Sequence, residues 1–205
     1  MTQPFPLVIA TRNPGKIGEL RSLLYGFEID IKGLSDFGAI PEVEEDGRSF
    51  DENAYKKASF TARVLGIPAL ADDSGLEVAA LGGAPGVHSA RYAGVDADDA
   101  LKCRKLLRAM TGIADRRAVF TCVISIAVPS GAALTYEGRC EGLIAEGPAG
   151  NQGFGYDPIF YFPPLGKTFA QLSAAEKNRV SHRGRALAEL KSEFDKVIDW
   201  MRLHM

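Results

Sequence analysis

Two adjacent carboxylates, Asp72 and Asp73, are followed by Ser74 and Gly75 and sit between two short apolar runs, 67–71 and 76–80. Ionised side chains are costly to bury unpaired, and a hard metal ion is one partner that accommodates two of them together. The same residue types also make turns. The stretch is therefore expected where the chain leaves or bends a buried strand, as a plain turn or as an acidic centre. Further groups with chemical potential are spread along the chain. Thr11, Arg12, Asn13, Pro14, Gly15 and Lys16 form a polar, glycine-containing loop, and 41–47 is a dense acidic run that includes Glu44 and Glu45. That run is a solvated surface or a source of oxygen ligands for a hard cation. Asn53 and Lys57 are spaced to share one helix face, as ligand contacts or as an exposed polar stripe. Phe154, between Gly153 and Gly155, is either a core ring or one presented to something flat, such as a nucleobase.

The elements that must carry these groups read as alternating strands and helices. Residues 7–10 are a fully apolar strand, and the 11–16 loop leads into a helix with Ile17, Leu20, Leu23 and Leu24 on one face. Strand, polar loop, helix is how α/β proteins bring backbone N–H groups to a phosphate. The Walker spacing is absent, however. Residues 28–32 alternate as a second strand. Ser49 and Glu52 form a capping box for a helix on Phe50, Ala54, Ala58, Ala62 and Leu65 that ends at Gly66. The glycines and proline of 81–92 predict an irregular stretch of the kind that is often functional. Asp96 is the expected cap of the next helix, with Asp98 and Asp99 in its first turn complementing the dipole rather than binding a ligand. That helix runs to about Met110 on Leu101, Leu106, Leu107 and Met110. Residues 118–128 and 133–145 read as an antiparallel hairpin around Pro129, Ser130 and Gly131, in a projecting lobe or at a dimer surface. A glycine-dense loop, 147–158, precedes an apolar run. Ser173 and Glu176 form a second capping box, with Lys177 in the first turn, where an anionic ligand would relieve its conflict with the helix dipole. Residues 181–185, with His182 and Arg183, interrupt the pattern before one last helix on Leu187, Leu190, Phe194, Val197, Ile198 and Met201.

Bulk properties narrow the function further. A chain of 205 residues is one domain, or one domain of two lobes, and 46% hydrophobic residues supply a real core. No run approaches the roughly 20 apolar residues of a membrane span. A net charge of −2 with no basic stripe argues against nucleic acid and membrane surfaces as partners. The three cysteines, Cys103, Cys122 and Cys140, are too far apart for a CxxC pair and read as buried reduced thiols of a cytoplasmic protein. The first six residues, Met1, Thr2, Gln3, Pro4, Phe5 and Pro6, carry no basic n-region or long apolar stretch, so no export signal is expected.

Taken together, these stretches resemble the inosine triphosphate pyrophosphatase family, hydrolases of non-standard purine nucleoside triphosphates. The matching segments are 11–16 with Glu19, 50–58 with Glu52, Asn53 and Ala54, 71–76, 81–92, Gly153 to Pro158, and 181–184. They cover nearly the whole chain in family order. The resemblance implies an α/β fold with an elongated mixed β-sheet flanked by helices, two lobes and a central nucleotide cleft, with residues 1–205 as one such domain. It also implies a magnesium cofactor and a homodimer. Carried over residue by residue, it makes Asp73 the general base and a metal ligand, Glu45 (or Glu44) the second metal carboxylate, and Asp72 an assisting acid. The 11–16 loop would hold the triphosphate through Asn13 and Lys16, and Ser74 would touch the nucleotide, while Lys57 stays a ligand contact only by its helix-face spacing from Asn53. Phe154, Gly155, Tyr156 and Asp157 match the base pocket, with Phe154 stacking on the purine. Lys177, His182 and Arg183 match the remaining substrate contacts, the last two donating to a 6-oxo group. Adenine would leave those donors unpaired, and such polar readout discriminates by roughly 10⁴, against about 10² for apolar fit.

The expected reaction is attack of water on the α-phosphorus, giving a nucleoside monophosphate and pyrophosphate. A related pyrophosphatase of pyrimidine or modified nucleotides shares the architecture but not the 153–157 and 181–184 segments. A haloacid-dehalogenase phosphatase needs Asp-x-Asp, which Asp72 and Asp73 do not form. A non-catalytic nucleotide sensor would have little use for the acidic pair with Lys16 and Lys177.

Overall fold

The structure, a computed structural model, describes residues 4–205. Of the six residues on which the export expectation rests, Met1, Thr2 and Gln3 lie outside the described residues, as do the side chains of Pro14 and Leu23. Strand β1 (Phe5–Ile9) buries Leu7, Val8 and Ile9 completely. Helix α1 (Pro14–Leu23) starts on Asn13, whose side-chain oxygen accepts from the N–H groups of Gly15 and Lys16. Proline suits this start because its missing N–H would have no helical partner there. Strand β2 (Ile29–Gly33) runs parallel to β1, with Ile31 opposite Leu7. Helix α2 (Phe50–Leu65) buries Phe50, Ala54, Ala58 and Ala62 and ends on Gly66. Its Ser49 cap accepts from the Glu52 N–H, but the predicted box is only half made: the Glu52 carboxylate accepts from the Arg48 N–H instead.

Strand β3 (Ala69–Val78) corrects the expectation of a turn or a bend. It passes straight through Asp72, Asp73, Ser74 and Gly75, and its two flanking apolar runs belong to one element. The 81–92 stretch is also more regular than predicted, with 3-10 turns at Ala79–Leu81 and Gly86–Arg91. Helix α3 (Asp99–Ala109) is capped by Asp98, not Asp96, and Leu101 faces outward while Cys103 takes a buried position. Strands β4 (Arg117–Ala127) and β5 (Ala133–Ile144) form the hairpin, joined where the Val128 N–H donates to the Ala132 carbonyl. They are followed by β6 (Phe160–Phe162) and β7 (Lys167–Thr168). The remaining helices are α4 (Ala174–Val180), α5 (His182–Ser192) and α6 (Phe194–His204). The predicted last helix is thus two, divided at Glu193, and His182 and Arg183 open the first of them rather than interrupting the pattern.

Among the described residues the sheet has seven strands in the order β2-β1-β3-β4-β5-β6-β7. It is mixed: β1 pairs in parallel with β2 and β3, while β6 pairs antiparallel with β5 and β7. The chain forms two compact units. The first comprises Met1–Asp73, Val123–Glu137 and Ala186–Met205, the second Ser74–Cys122 and Gly138–Arg185. In the first, the alanine face of α2 packs with Val8, Ala69, Ala71 and Ala127, small side chains that let the helix approach the strands closely. In the second, Leu76, Leu106, Phe120, Phe160 and Phe169 anchor the core. The rings of Phe120 and Phe160 lie 4.6 Å apart and those of Phe160 and Phe169 4.7 Å apart, both tilted, as aromatic quadrupoles prefer.

Candidate active site

In the first unit, two carboxylates converge on one ammonium. Lys57 Nζ lies 2.9 Å from Glu45 Oε1 and 3.2 Å from Asp73 Oδ1. Helix α2 also delivers Asn53, one turn earlier, wholly buried. Its amide nitrogen donates to Asp73 Oδ2 at 3.1 Å, and its amide oxygen accepts from the Gly47 N–H at 2.8 Å. One asparagine thereby fixes both the Asp73 carboxylate and the backbone of the acidic loop. Gly47 is required by this closeness, since a Cβ there would come within 2.5 Å of Asn53 Oδ1. On the neighbouring position of β3, buried Asp72 pairs with Lys16 of α1 at 2.9 Å. The acid pair is therefore matched by two lysines, which is how a strand interior tolerates it.

The electrostatics follow from this packing. Burial pushes the Asp73 carboxyl above the ordinary carboxylate range, with Lys57 pulling it down and Glu45 pushing it up. For Lys57, burial works against the charge, but Asp73, Glu45 and Asp72 outweigh it and hold the ammonium above its usual value. A raised carboxylate that still keeps its cation nearby is poised to accept a proton.

Other first-unit residues fall less centrally. Arg12 donates to Glu42 at 2.6 Å and to the Ile40 carbonyl at 2.9 Å, tethering the acidic loop while remaining largely exposed. The Thr11 hydroxyl accepts from the Asn13 N–H. Glu44 is exposed, whereas Glu45 is half-buried and turned to Lys57. Among the described residues, no three or more His, Cys, Asp and Glu side chains gather tightly enough to hold a metal. Magnesium does not need such a cage, because it uses one or two carboxylates with water and substrate phosphates. The convergence of Asp73 and Glu45 on a single positive charge fits that demand.

In the second unit, Phe154 is half-buried. Lys177 Nζ stands 4.5 Å from its ring centre and the Arg183 guanidinium 5.6 Å. Lys177 is itself buried and pairs with Asp157 Oδ2 at 2.6 Å, and that oxygen also accepts from the Phe154 N–H at 2.9 Å. Arg183 donates to the Ser74 hydroxyl at 3.2 Å. His182, 4% exposed, stacks on Phe120 with ring centres 4.6 Å apart and planes 10° from parallel. Tyr156 is buried as well, and its hydroxyl donates to the Ser89 carbonyl. Ser89 in turn receives the Leu76 N–H on its hydroxyl. Asp157 and Tyr156 thus act first as struts of the loop that presents Phe154. Gly155 adopts φ +64°, a left-handed conformation that side chains disfavour.

The structure brings Asp72, Asp73, Lys16, Lys57 and Glu45 together in one unit, and Ser74, Phe154, Asp157, Lys177 and Arg183 in the other. Sequence reasoning missed the bridging role of Asn53 and the reach of Asp99 to the Gly155 N–H. Asn53 was marked by its spacing from Lys57 and by its place in the 50–58 segment of the resemblance, neither of which shows that it bridges. Asp99 gave no signal, since an acid in a first helical turn is common.

The chain is thus an α/β protein whose first unit carries a buried carboxylate–lysine cluster and whose second unit carries an aromatic ring flanked by cations. The model of the Ham1 family matches residues 7–193, and the chain belongs to that family. It is 65% identical to a dITP/XTP pyrophosphatase of Syntrophobacter fumaroxidans over 195 residues, covering 95% of this chain and 84% of that protein. A dITP/XTP pyrophosphatase of Desulfotalea psychrophila is 61% identical, covering 95% and 87%. Among solved structures, a HAM1 protein from Coxiella burnetii superposes with a TM-score of 0.88 at 45% identity, covering 94% of this chain and 99% of that one.

Proposed function

We propose that this chain hydrolyses non-standard purine nucleoside triphosphates, dITP, ITP and XTP, to the monophosphate and pyrophosphate. The observation that carries the reading is the convergence of Asp73 and Glu45 on Lys57, with Asn53 fixing Asp73, in a member of a family whose relatives are named dITP/XTP pyrophosphatases. Asp73 takes a proton from water as the water oxygen bonds to the α-phosphorus. The bond from the α-phosphorus to its bridging oxygen breaks, and pyrophosphate leaves with the electron pair. Lys16, with Asn13 and Gly15 beside it, meets the charge growing on the leaving group, and Lys57 holds Asp73 and Glu45 in place. Asp73 and Glu45 are the carboxylates that would hold magnesium, which supplies neutralisation of phosphate charge and a lowered pKa for bound water.

Phe154 stacks on the purine, His182 and Arg183 read its oxo edge, Lys177 is a further substrate contact and Ser74 contacts the nucleotide. The buried free cysteines support a reducing, cytoplasmic setting, and no helix among the described residues is long and apolar enough to cross a membrane. The family resemblance further supports a homodimer, for which sedimentation should give twice the mass of one chain. A substrate panel tests the activity. With magnesium, dITP, ITP and XTP should release pyrophosphate while ATP, GTP and dTTP stay nearly untouched, and chelator should abolish turnover. Equal hydrolysis of ATP would contradict the pocket assignment.

A further inference from the structure

Phe154 is aimed by its own backbone, and two carboxylates hold that backbone. The N–H of Phe154 donates to Asp157 Oδ2 at 2.9 Å, fixing the peptide plane before its Cα. The N–H of Gly155 donates to Asp99 Oδ2 at 2.6 Å, fixing the plane after it. With both planes held, the direction of the Phe154 side chain from its Cα is determined. Asp157 belongs to the same loop, but Asp99 comes from α3, a helix with no other role assigned to it.

Asp99 is not needed to start that helix. The cap is Asp98, whose side chain accepts from the Leu101 N–H at 2.6 Å. Asp99 instead uses one oxygen on Lys102 Nζ at 2.8 Å and the other on the loop. Cys103, one turn along α3, adds a weak contact from its thiol to the Gly155 carbonyl at 3.4 Å. Burial raises the Asp99 carboxyl, but Lys102 and the Gly155 N–H outweigh it and hold it below the ordinary range. The group therefore stays ionised at neutral pH, and hydrogen bonds to an ionised acceptor are the stronger kind.

We propose that Asp99 is a positioning residue that sets the Phe154 platform, and through it base selectivity, from outside the nucleotide-contacting segments. This rests on Phe154 being the purine-stacking ring.

The test compares three variants, Asp99→Ala, Asp99→Asn and Asp98→Ala, by steady-state kinetics on dITP and ATP, thermal melting, and hydrogen exchange of the peptide spanning 153–157. Asp99→Ala should raise KM for dITP about tenfold with little change in kcat, narrow the dITP-over-ATP preference, and speed exchange in the loop. Asp99→Asn keeps an acceptor for the Gly155 N–H and should recover most of the loss. Asp98→Ala should lower the melting temperature through its lost cap yet leave KM and loop exchange unchanged. Unaltered KM and exchange in Asp99→Ala would overturn the proposal, as would an equal KM rise in Asp98→Ala. If Asp99→Ala speeds loop exchange while the wild type shows no dITP preference, Phe154 as the purine platform fails instead, and with it the selectivity role of Asp99.

Discussion

Lys57 holds the first-unit site together because it is the shared counter-ion of Glu45 and Asp73. Replacing it by methionine would leave two facing carboxylates without their cation. Lys57→Met should lose about 3 kcal/mol of stability, the scale for breaking a buried pair, and magnesium should raise its melting temperature more than it raises that of the wild type. A melting curve equal to wild type would show that the pairing contributes nothing. Asp73→Asn removes the proton acceptor but keeps the shape and an oxygen toward the Asn53 amide. Its kcat should fall roughly 10²- to 10⁴-fold with KM changed far less. Turnover within tenfold of wild type would end the assignment of Asp73 as base. Chemistry alone marked Asp73, Lys16 and Lys177 as charged groups in need of partners, and their roles came only from the family resemblance. The bridging by Asn53 was not legible, because an asparagine on a helix face gives no hint that both ends of its amide are engaged.

At the scale of elements, β3 shows why local reading falls short. Asp72, Asp73, Ser74 and Gly75 look like a turn because turn formers dominate, yet the strand continues for ten residues. Its acids are neutralised by Lys16 from α1 and Lys57 from α2 and hydrogen-bonded by Asn53, and no local window contains those partners. The apolar periods of α2 and the strand character of β1 were readable, since they depend only on neighbours along the chain. The break between α5 and α6 was not, because the apolar spacing runs on through Glu193 and only its backbone, at φ −116° and ψ 6°, ends the helix. The link between the acidic loop and α2 gives a sharp prediction. Gly47→Ala would drive a Cβ into the Asn53 oxygen and so displace the partner of Asp73. We expect kcat to drop tenfold or more, on the order of the cost of small misplacements at a reacting centre, and Asn53→Ala to reproduce most of that drop. Normal turnover in Gly47→Ala would mean that the loop and the base are not coupled.

The molecule as a whole is a mixed sheet with two compact units, the first holding the carboxylate–lysine cluster and the second the Phe154 ring with Lys177 and Arg183 beside it. Composition foretold the protected cysteines. Burial pushes Cys103 and Cys140 up to about 11, so the thiolate fraction at pH 8 is about 10⁻³. Iodoacetamide should leave both unmodified in the native protein and label them after unfolding in guanidinium. Rapid native labelling would place them at the surface instead. The central claim concerns which phosphorus is attacked, and hydrolysis of dITP in ¹⁸O-water decides it. Attack on the α-phosphorus, the outcome expected from Asp73 acting as base, puts the label in the nucleoside monophosphate and leaves pyrophosphate unlabelled. Label in pyrophosphate, or orthophosphate as the first product, would contradict the account.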